Sequence, residues 1–275
     1  MKLKLGFSSC PNDTFIFDAM IHGKVDTEGL SFDVVIEDVE ELNKRVLSSE
    51  IDISKISFHA YAYADSNYLL LSSGAALGRK NGPLLISKYK VYPDEVESLV
   101  VAIPGIYTTA NLLFSIEYPR AEKKRIYLFS DIEEVVLGGE VDAGVIIHES
   151  RFTYEQKGLR KVIDLGEAYE EKTGEPVPLG GIAIRRSFDE NLRLKVNRVL
   201  KRSVLFAIEN PNSGYEFIKQ YAQELDDSVI LRHIELYVND YTKELDEEAK
   251  EAVRSLYKRA SERGVVKLTS DEIFV

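Results

Sequence analysis

The sequence is poor in the residues that build disulfides, metal–thiolate centres and nucleotide loops. Cys10 is the only cysteine among the 275 residues, so no intrachain disulfide and no thiolate metal cluster can form. GxGxxG and Walker patterns are missing, and His148 lacks the second histidine four residues on that a zincin motif requires. We therefore expect no nucleotide, metal or other cofactor.

Long apolar runs and positive charge are also scarce. No stretch approaches the roughly 20 apolar residues of a membrane span, and the N-terminal sequence becomes polar at Ser8, before a signal peptide could form its apolar region. The net charge of −11 disfavours nucleic acid and anionic membranes as partners, because both bind basic surfaces. The cytoplasm is the expected location.

Strand-like and helix-like segments alternate along the first half of the chain. Strands are predicted at 3–7, 32–36 and 51–56, each followed by a helical pattern, which is typical of a parallel sheet with right-handed crossovers. The pattern starts again after a polar stretch at 91–97, and the chain is helical after 187. This order predicts an α/β fold with two lobes, 1–90 with 187–275 and 91–186, and a ligand cleft between them. That is the plan of the type II periplasmic-binding-protein fold.

Polar side chains follow the carboxyl ends of four predicted strands. They are Asn12 and Thr14 after the first, Ser57 after the third, Thr108 and Thr109 after 99–103, and His148 after the apolar run 143–147. Ligands of open α/β sheets bind beyond these strand ends. Helix N-termini with nearby hydroxyls hold anions without a basic side chain. This set predicts a small-molecule carboxylate as the ligand.

Each of these residues has a structural alternative. Imidazole titrates near neutral pH, so His148 is a candidate general base, or it caps the turn that follows the strand. Thr108 and Thr109 bind the ligand or serve as helix N-caps. Arg79, in a glycine-bearing loop, binds a carboxylate or forms a surface ion pair.

The other histidines and the cysteine are predicted to be structural. His22, His59 and His233 lie in helical stretches, where surface or packing roles are favoured. Cys10 follows a strand but has no histidine near it in the sequence, so we interpret it as a small buried thiol.

Five motifs together resemble those of the 1,4-dihydroxy-6-naphthoate synthase family, in the futalosine route of menaquinone biosynthesis. They are SSCPNDTF at 8–15, KIS at 55–57, ALGR at 76–79, PGIYTTA at 104–110 and IHESRFTY at 147–154. The resemblance covers nearly the whole chain. It implies a cytosolic lyase of the type II binding-protein fold that cleaves cyclic dehypoxanthinyl futalosine to 1,4-dihydroxy-6-naphthoate and a small carbon fragment. It further implies that His148 is the general base and that Ser57, Thr108 and Thr109 bind the substrate.

Two positions depart from the family pattern. Ser9 stands where the family's first motif usually has proline, and His59 stands where a small residue is common. Two other functions remain as alternatives: chorismate dehydratase on the related fold, and a non-catalytic binding protein for a small carboxylate. The sequence also leaves open whether the chain forms a homodimer.

Overall fold

The structure, a computed structural model, describes residues 1–222 and 226–275. The strands are β1 (Lys2–Phe7), β2 (Ser31–Ile36), β3 (Ile53–Ser57), β4 (Tyr68–Leu70), β5 (Ala76–Gly78), β6 (Leu84–Ser87), β7 (Val101–Ile103), β8 (Lys124–Ile126), β9 (Ala143–Ile146), β10 (Arg160–Asp164) and β11 (Val177–Arg185).

Eleven α-helices, together with short 3-10 turns, connect and cover these strands in the described residues. The helices are α1 (Pro11–Ile21), α2 (Val39–Leu47), α3 (Phe58–Ala64), α4 (Thr109–Glu117), α5 (Ile132–Gly138), α6 (Leu165–Thr173), α7 (Glu190–Glu209), α8 (Tyr215–Tyr221), α9 (Asp227–Tyr237), α10 (Asp240–Lys243) and α11 (Glu247–Glu262). Among the described helices, none combines the length and the apolar character needed to cross a membrane.

The first sheet has the strand order β2-β1-β3-β11-β4, with β5 also paired to β11. The predicted parallel pairing holds for β1 with β2 and β3. The strand β11, for which no direction was predicted, runs antiparallel to β3, β4 and β5. The strand β11 returns from the other sheet rather than through a crossover helix, so the handedness rule for βαβ units does not set its direction.

The second sheet has the order β10-β6-β9-β7-β8. Strand β7 is parallel to β8 and β9, whereas β6 is antiparallel to β9 and β10. The division into lobes at residues 90 and 186 stays a prediction. The pairings favour moving those boundaries, because β6 lies before residue 90 in the second sheet and β11 lies before 186 in the first.

The apolar core is partly shared between the two sheets. One cluster combines Ile56 and Ala183 of the first sheet with Leu85 and Val145 of the second, and α11 packs on it through Leu256. A second cluster joins the other face of the first sheet to α1 and α7. The C-terminal helices α7 and α11 thus pack in different places: α7 covers the first sheet, whereas α11 covers the junction of both sheets.

The helix N-caps in the structure agree only in part with those that the sequence favours. Asp38 caps α2 by accepting from the backbone N–H of Glu40, as its sequence position predicts. Ser130 and Glu133 have the spacing of a capping box, but a 3-10 turn precedes α5 and places Asp131 at the N-cap position. Asn12 and Asp13 are residue types that favour N-caps, but Cys10 takes that position in α1 and both side chains bond other partners.

Candidate active site

One cleft lies between the ends of the two sheets, with about 660 Å³ of empty space including its open side. The residues around it come from both sheets, as the strand-end argument predicted. They include Ser8, Asn12, Asp13, Lys55, Ser57, Asn81, Thr108, Thr109, Ala110, Ile147, His148, Leu179, Gly180, His233 and Tyr237.

His148 stands at the cleft just after β9 and Ile147. Its φ of +60° is in the left-handed region, which is uncommon for a residue other than glycine and is a form of strain that clusters at functional sites. The imidazole packs edge-on against Phe129, with 4.8 Å between ring centroids. Burial lowers the pKa of His148 to about 4, against the opposing charge of Asp13, so the ring is neutral at pH 7.

Cys10 is the polar neighbour of His148. Its Sγ lies 3.1 Å from Nδ1 and 3.6 Å from Nε2 of the imidazole. Burial, with the charges of Glu149 and Asp13, raises the pKa of the Cys10 thiol. The two groups are therefore a neutral thiol beside a neutral imidazole, unlike the thiolate–imidazolium pair of a cysteine nucleophile. The sequence could not predict this contact, because 138 residues separate the two.

A buried polar network forms the wall of the cleft on the side of the first sheet. Lys55 Nζ donates to Asp13 Oδ1 at 2.7 Å, and Asn12 Nδ2 donates to the same oxygen at 2.9 Å. The other oxygen of Asp13 accepts from the hydroxyl of Ser8 at 2.7 Å. Lys55 and Asp13 thus form a buried ion pair in this wall of the cleft. The predicted cleft residue Asn12 is thus present, held by this pair.

His233 of α9 extends the network. Because Asn12 Nδ2 donates to Asp13, its Oδ1 faces His233 as an acceptor at 2.9 Å, and the histidine therefore carries its proton on Nε2. Burial lowers the pKa of His233 well below its ordinary value, and His148 and Lys55 add to this. A signal was present in the sequence: Ile230, His233 and Tyr237 share the buried stripe of α9.

The opposite end of the cleft carries the predicted hydroxyls. Ser57 Oγ accepts from Asn43 Nδ2 at 3.1 Å, which leaves its own O–H free to donate. Thr108 caps α4 by accepting from the backbone N–H of Asn111 at 3.2 Å, and Thr109 donates to the carbonyl of Leu179 at 2.5 Å. Both threonines line the cleft as well. The helix-cap role of Thr108 is therefore confirmed, whereas ligand binding by either threonine stays a prediction.

Glu40 connects the two sides near this end. Glu40 lies on α2, and its two carboxylate oxygens accept from the backbone N–H of Tyr107 on the other side, at 3.1 and 3.2 Å. A Cβ at Gly105 would lie 2.3 Å from the Glu40 carboxyl carbon, so only glycine permits this approach. Asn43 donates to Glu40 at 3.3 Å and also bonds Ser57, which ties the bridge to the cleft wall.

Two predicted site residues lie outside the cleft in this structure. Thr14 is fully buried, and its hydroxyl donates to the carbonyls of Cys10 and Pro11 within α1. Arg79 is exposed, and its guanidinium is held on the surface by the carbonyl of Gly174. The predicted ligand roles of both residues therefore gain no support from the geometry.

The remaining histidines lie apart from the cleft. His22 is a half-exposed side chain that bonds Asp18 at 2.8 Å. His59 is buried, and its Nδ1 lies 3.2 Å from the carbonyl oxygen of Thr108. Burial lowers the pKa of His59 to about 4.

Solved structures confirm the predicted periplasmic-binding-protein-like fold. A crystal structure of an Archaeoglobus fulgidus protein has a TM-score of 0.91 and 38% identity, covering 96% of this chain and 98% of that one. The alkanesulfonate-binding protein of Xanthomonas axonopodis, solved with bound MOPS, has a TM-score of 0.74 at 11% identity, covering 100% of this chain and 96% of that one. At this low identity the second similarity shows the fold alone.

Sequence comparison gives the family. The model of a family described as menaquinone biosynthesis matches residues 3–262. The 1,4-dihydroxy-6-naphthoate synthase of Thermus thermophilus is 42% identical over 273 residues, covering 99% of each chain. The chain therefore belongs to the menaquinone biosynthesis family and, within it, to the enzymes of the 1,4-dihydroxy-6-naphthoate synthase group.

Proposed function

We propose that this enzyme converts cyclic dehypoxanthinyl futalosine to 1,4-dihydroxy-6-naphthoate and a small carbon fragment, with His148 as the general base. The similarity to the Thermus thermophilus synthase supports the reaction. The observation that carries the role of His148 is its position: a strained, neutral imidazole at the end of β9, lining the cleft.

The first step of the proposed reaction requires a base. Removal of a proton from the substrate allows the carbon–carbon bond to the small fragment to break. The electron pair of that bond then enters the ring system, which becomes aromatic. A neutral imidazole accepts such a proton directly. If the Nδ1–H of His148 is donated to the sulfur of Cys10, the lone pair of Nε2 is the one that faces the substrate.

The substrate carboxylate would lie at the end of the cleft formed by α4 and β3. The first-turn N–H groups of α4 and the O–H of Ser57 are donors there, and the helix N-terminus attracts negative charge. Lys55 contributes a positive charge in a wall that is otherwise neutral apart from its partner Asp13. These local groups offset the acidic net charge of the chain, which repels an anion at long range.

Closure of the cleft belongs to the same proposal. The contacts of Glu40 with Tyr107 and of Cys10 with His148 join the two sides across the cleft. Substrate entry requires these contacts to open, so we expect the two lobes to rotate as near-rigid bodies about the segments that connect the sheets. Crystals grown with and without a bound carboxylate should differ by that rotation.

The direct test is to incubate the purified protein with cyclic dehypoxanthinyl futalosine and to measure the naphthoate formed. The parent enzyme should turn over, and His148→Asn should lower kcat by about 10²–10⁴, the range of a lost general base. Asparagine tolerates the left-handed backbone conformation at this position, so the variant should keep its fold. His148→Ala should give the same loss.

The matched control is His22→Asn, which changes a histidine outside the cleft and should keep parental kcat. Substrate binding without turnover by the parent would favour the binding-protein alternative. Turnover by His148→Asn within a few-fold of the parent would assign the base to another residue.

A further inference from the structure

Asn81 is a buried polar residue of the cleft wall that the proposed mechanism does not use. The residue is 1% exposed and lines the cleft. Neither its amide oxygen nor its amide nitrogen has a hydrogen-bond partner within the part of the chain that the structure describes. Folded proteins pair nearly all such atoms, because an unpaired buried polar group is costly. Two unpaired atoms on one side chain that lines a cleft point to pairing with a ligand.

The backbone next to Asn81 is held by two contacts at Gly82. The carbonyl of Gly82 accepts from the guanidinium of Arg151, which also bonds Asp164 at 2.9 Å. The backbones of Gly82 and Gly166 touch, since a Cβ on Gly82 would lie 2.3 Å from the Cα of Gly166. These contacts fix the backbone at the residue that follows Asn81.

The first sheet also makes room for this amide. A Cβ at Gly78 would lie 2.7 Å from Asn81 Nδ2, so the missing side chain of Gly78 is what leaves the space. Asn239 is close to the same position, but its Nδ2 donates to the carbonyl of Leu77 at 2.9 Å. A packed core leaves little free space around a polar group that has no partner. A binding surface does leave such space.

The chemistry of the site favours hydroxyl groups over a carboxylate. A side-chain amide offers a donor and an acceptor without charge, which matches the donor and acceptor of an alcohol. Asn81 lies beside β5 and the residues that follow α9, the helix that supplies His233 and Tyr237 to the cleft. The donors suited to a carboxylate are instead at Ser57 and the N-terminus of α4.

We propose that Asn81 is a specificity-determining residue that hydrogen-bonds the hydroxyl groups of the substrate's sugar-derived part. This inference rests on the proposed function. That part of the substrate leaves as the small fragment, whereas the carboxylate stays on the aromatic product. Asn81 thus contacts the substrate but not the naphthoate product.

The test is Asn81→Leu, which keeps the size of the side chain and removes both polar atoms. The KM for cyclic dehypoxanthinyl futalosine should rise about tenfold or more, as expected for a lost hydrogen bond to substrate. The Kd of 1,4-dihydroxy-6-naphthoate should stay within twofold of the parent value. The Tm should rise, because an unpaired buried amide is replaced by an apolar group.

Asn197→Leu is the matched control. Asn197 Oδ1 accepts from the backbone N–H of Ser73 at 3.1 Å, so this amide is structural. Its loss should lower the Tm and leave KM unchanged, the reverse of the pattern expected for Asn81.

The outcomes separate the two proposals. A lower Tm for Asn81→Leu, an unchanged KM, or an equal loss of affinity for substrate and product would overturn the role of Asn81 while the proposed function stands. A parent enzyme that does not turn over the substrate would overturn both.

Discussion

The two walls of the cleft are held in different ways. On the side of the first sheet, Lys55, Asp13, Asn12 and His233 form a continuous chain of side-chain hydrogen bonds of 2.7 to 2.9 Å. On the side of the second sheet, His148 is within hydrogen-bonding distance of Cys10 alone among the described side chains. The first wall fixes groups that shape the cleft. The second leaves the imidazole weakly bonded, so its lone pair is available for a proton.

A carboxylate partner for His148 would have had the opposite effect. A negative charge beside an imidazole favours its protonated form and raises its pKa. The neutral thiol of Cys10 does not do this, and burial keeps the imidazole deprotonated. From the opposite wall, Asp13 raises and Lys55 lowers the pKa of His148, and the effect of burial is larger than either.

The largest expected effect comes from breaking the charged wall. Lys55→Met leaves Asp13 buried without its cation, and the loss of one partner of a buried ion pair costs about 3–5 kcal/mol. The free energy of unfolding in urea should fall by that amount, and activity should fall with it. Lys2→Met, which removes an exposed pair with Asp33, should cost about 1 kcal/mol or less. Equal effects of the two changes would mean that the buried pair contributes no more to stability than an exposed pair.

The next effect concerns the dependence of stability on pH. His59 and His148 have pKa values lowered from 6.5 to about 4, so the unfolded chain binds protons that the folded chain does not between these pH values. Stability is therefore fully present above pH 6.5 and is lost as the pH falls towards 4, by about 3 kcal/mol for each histidine. Urea unfolding at pH 7, 6, 5 and 4.5 should show this decline.

The matched variant is His148→Asn, which removes one of the groups that bind a proton on unfolding. The slope of the free energy of unfolding against pH should therefore correspond to about one proton fewer than in the parent. An unchanged slope would mean that His148 is solvated and has an ordinary pKa. The kcat of the parent should correspondingly stay level on acidification to about pH 5, because the proposed base stays neutral there.

The smallest effect concerns the hydroxyls opposite the charged wall. Thr108→Val and Thr109→Val should each weaken substrate binding by roughly 1–3 kcal/mol through the loss of a hydrogen-bonding group. Thr108→Val should also cost about 1 kcal/mol of stability, since it removes the N-cap of α4. Thr108→Ser and Thr109→Ser keep the hydroxyls and should restore both properties. Unchanged affinity in both valine variants would leave the threonines with structural roles only.

Local patterns predicted those features that depend on near neighbours. The apolar run before His148 became the buried strand β9, so the histidine stands at a strand end as expected. The Thr108–Thr109 pair begins α4 because a threonine hydroxyl at that position pairs with a free N–H of the first turn. The helices α7 and α11 lie in the region after 187 that was predicted to be helical, and each buries one face.

The hydrogen-bond partners of some residues could not be predicted, because those partners are far away in the chain. Asp13 lies at the start of α1, where acidic residues are favoured, but it pairs with Lys55, 42 residues on, in the cleft wall. Arg79 looked suited to a carboxylate, but the carbonyl of Gly174, 95 residues away, holds it on the surface. Cys10 and His148 could not be paired from their sequence surroundings.

The sequence by itself determined the α/β alternation, the strand ends that carry polar groups, and the motifs of the family. These features follow from burial and capping among residues a few positions apart. The tertiary structure decided the directions of β6 and β11, the pairing of Asn12 with His233 across 221 residues, and the unpaired amide of Asn81. The physical reason is that hydrogen bonds between distant side chains exist only once packing has fixed the positions of both partners.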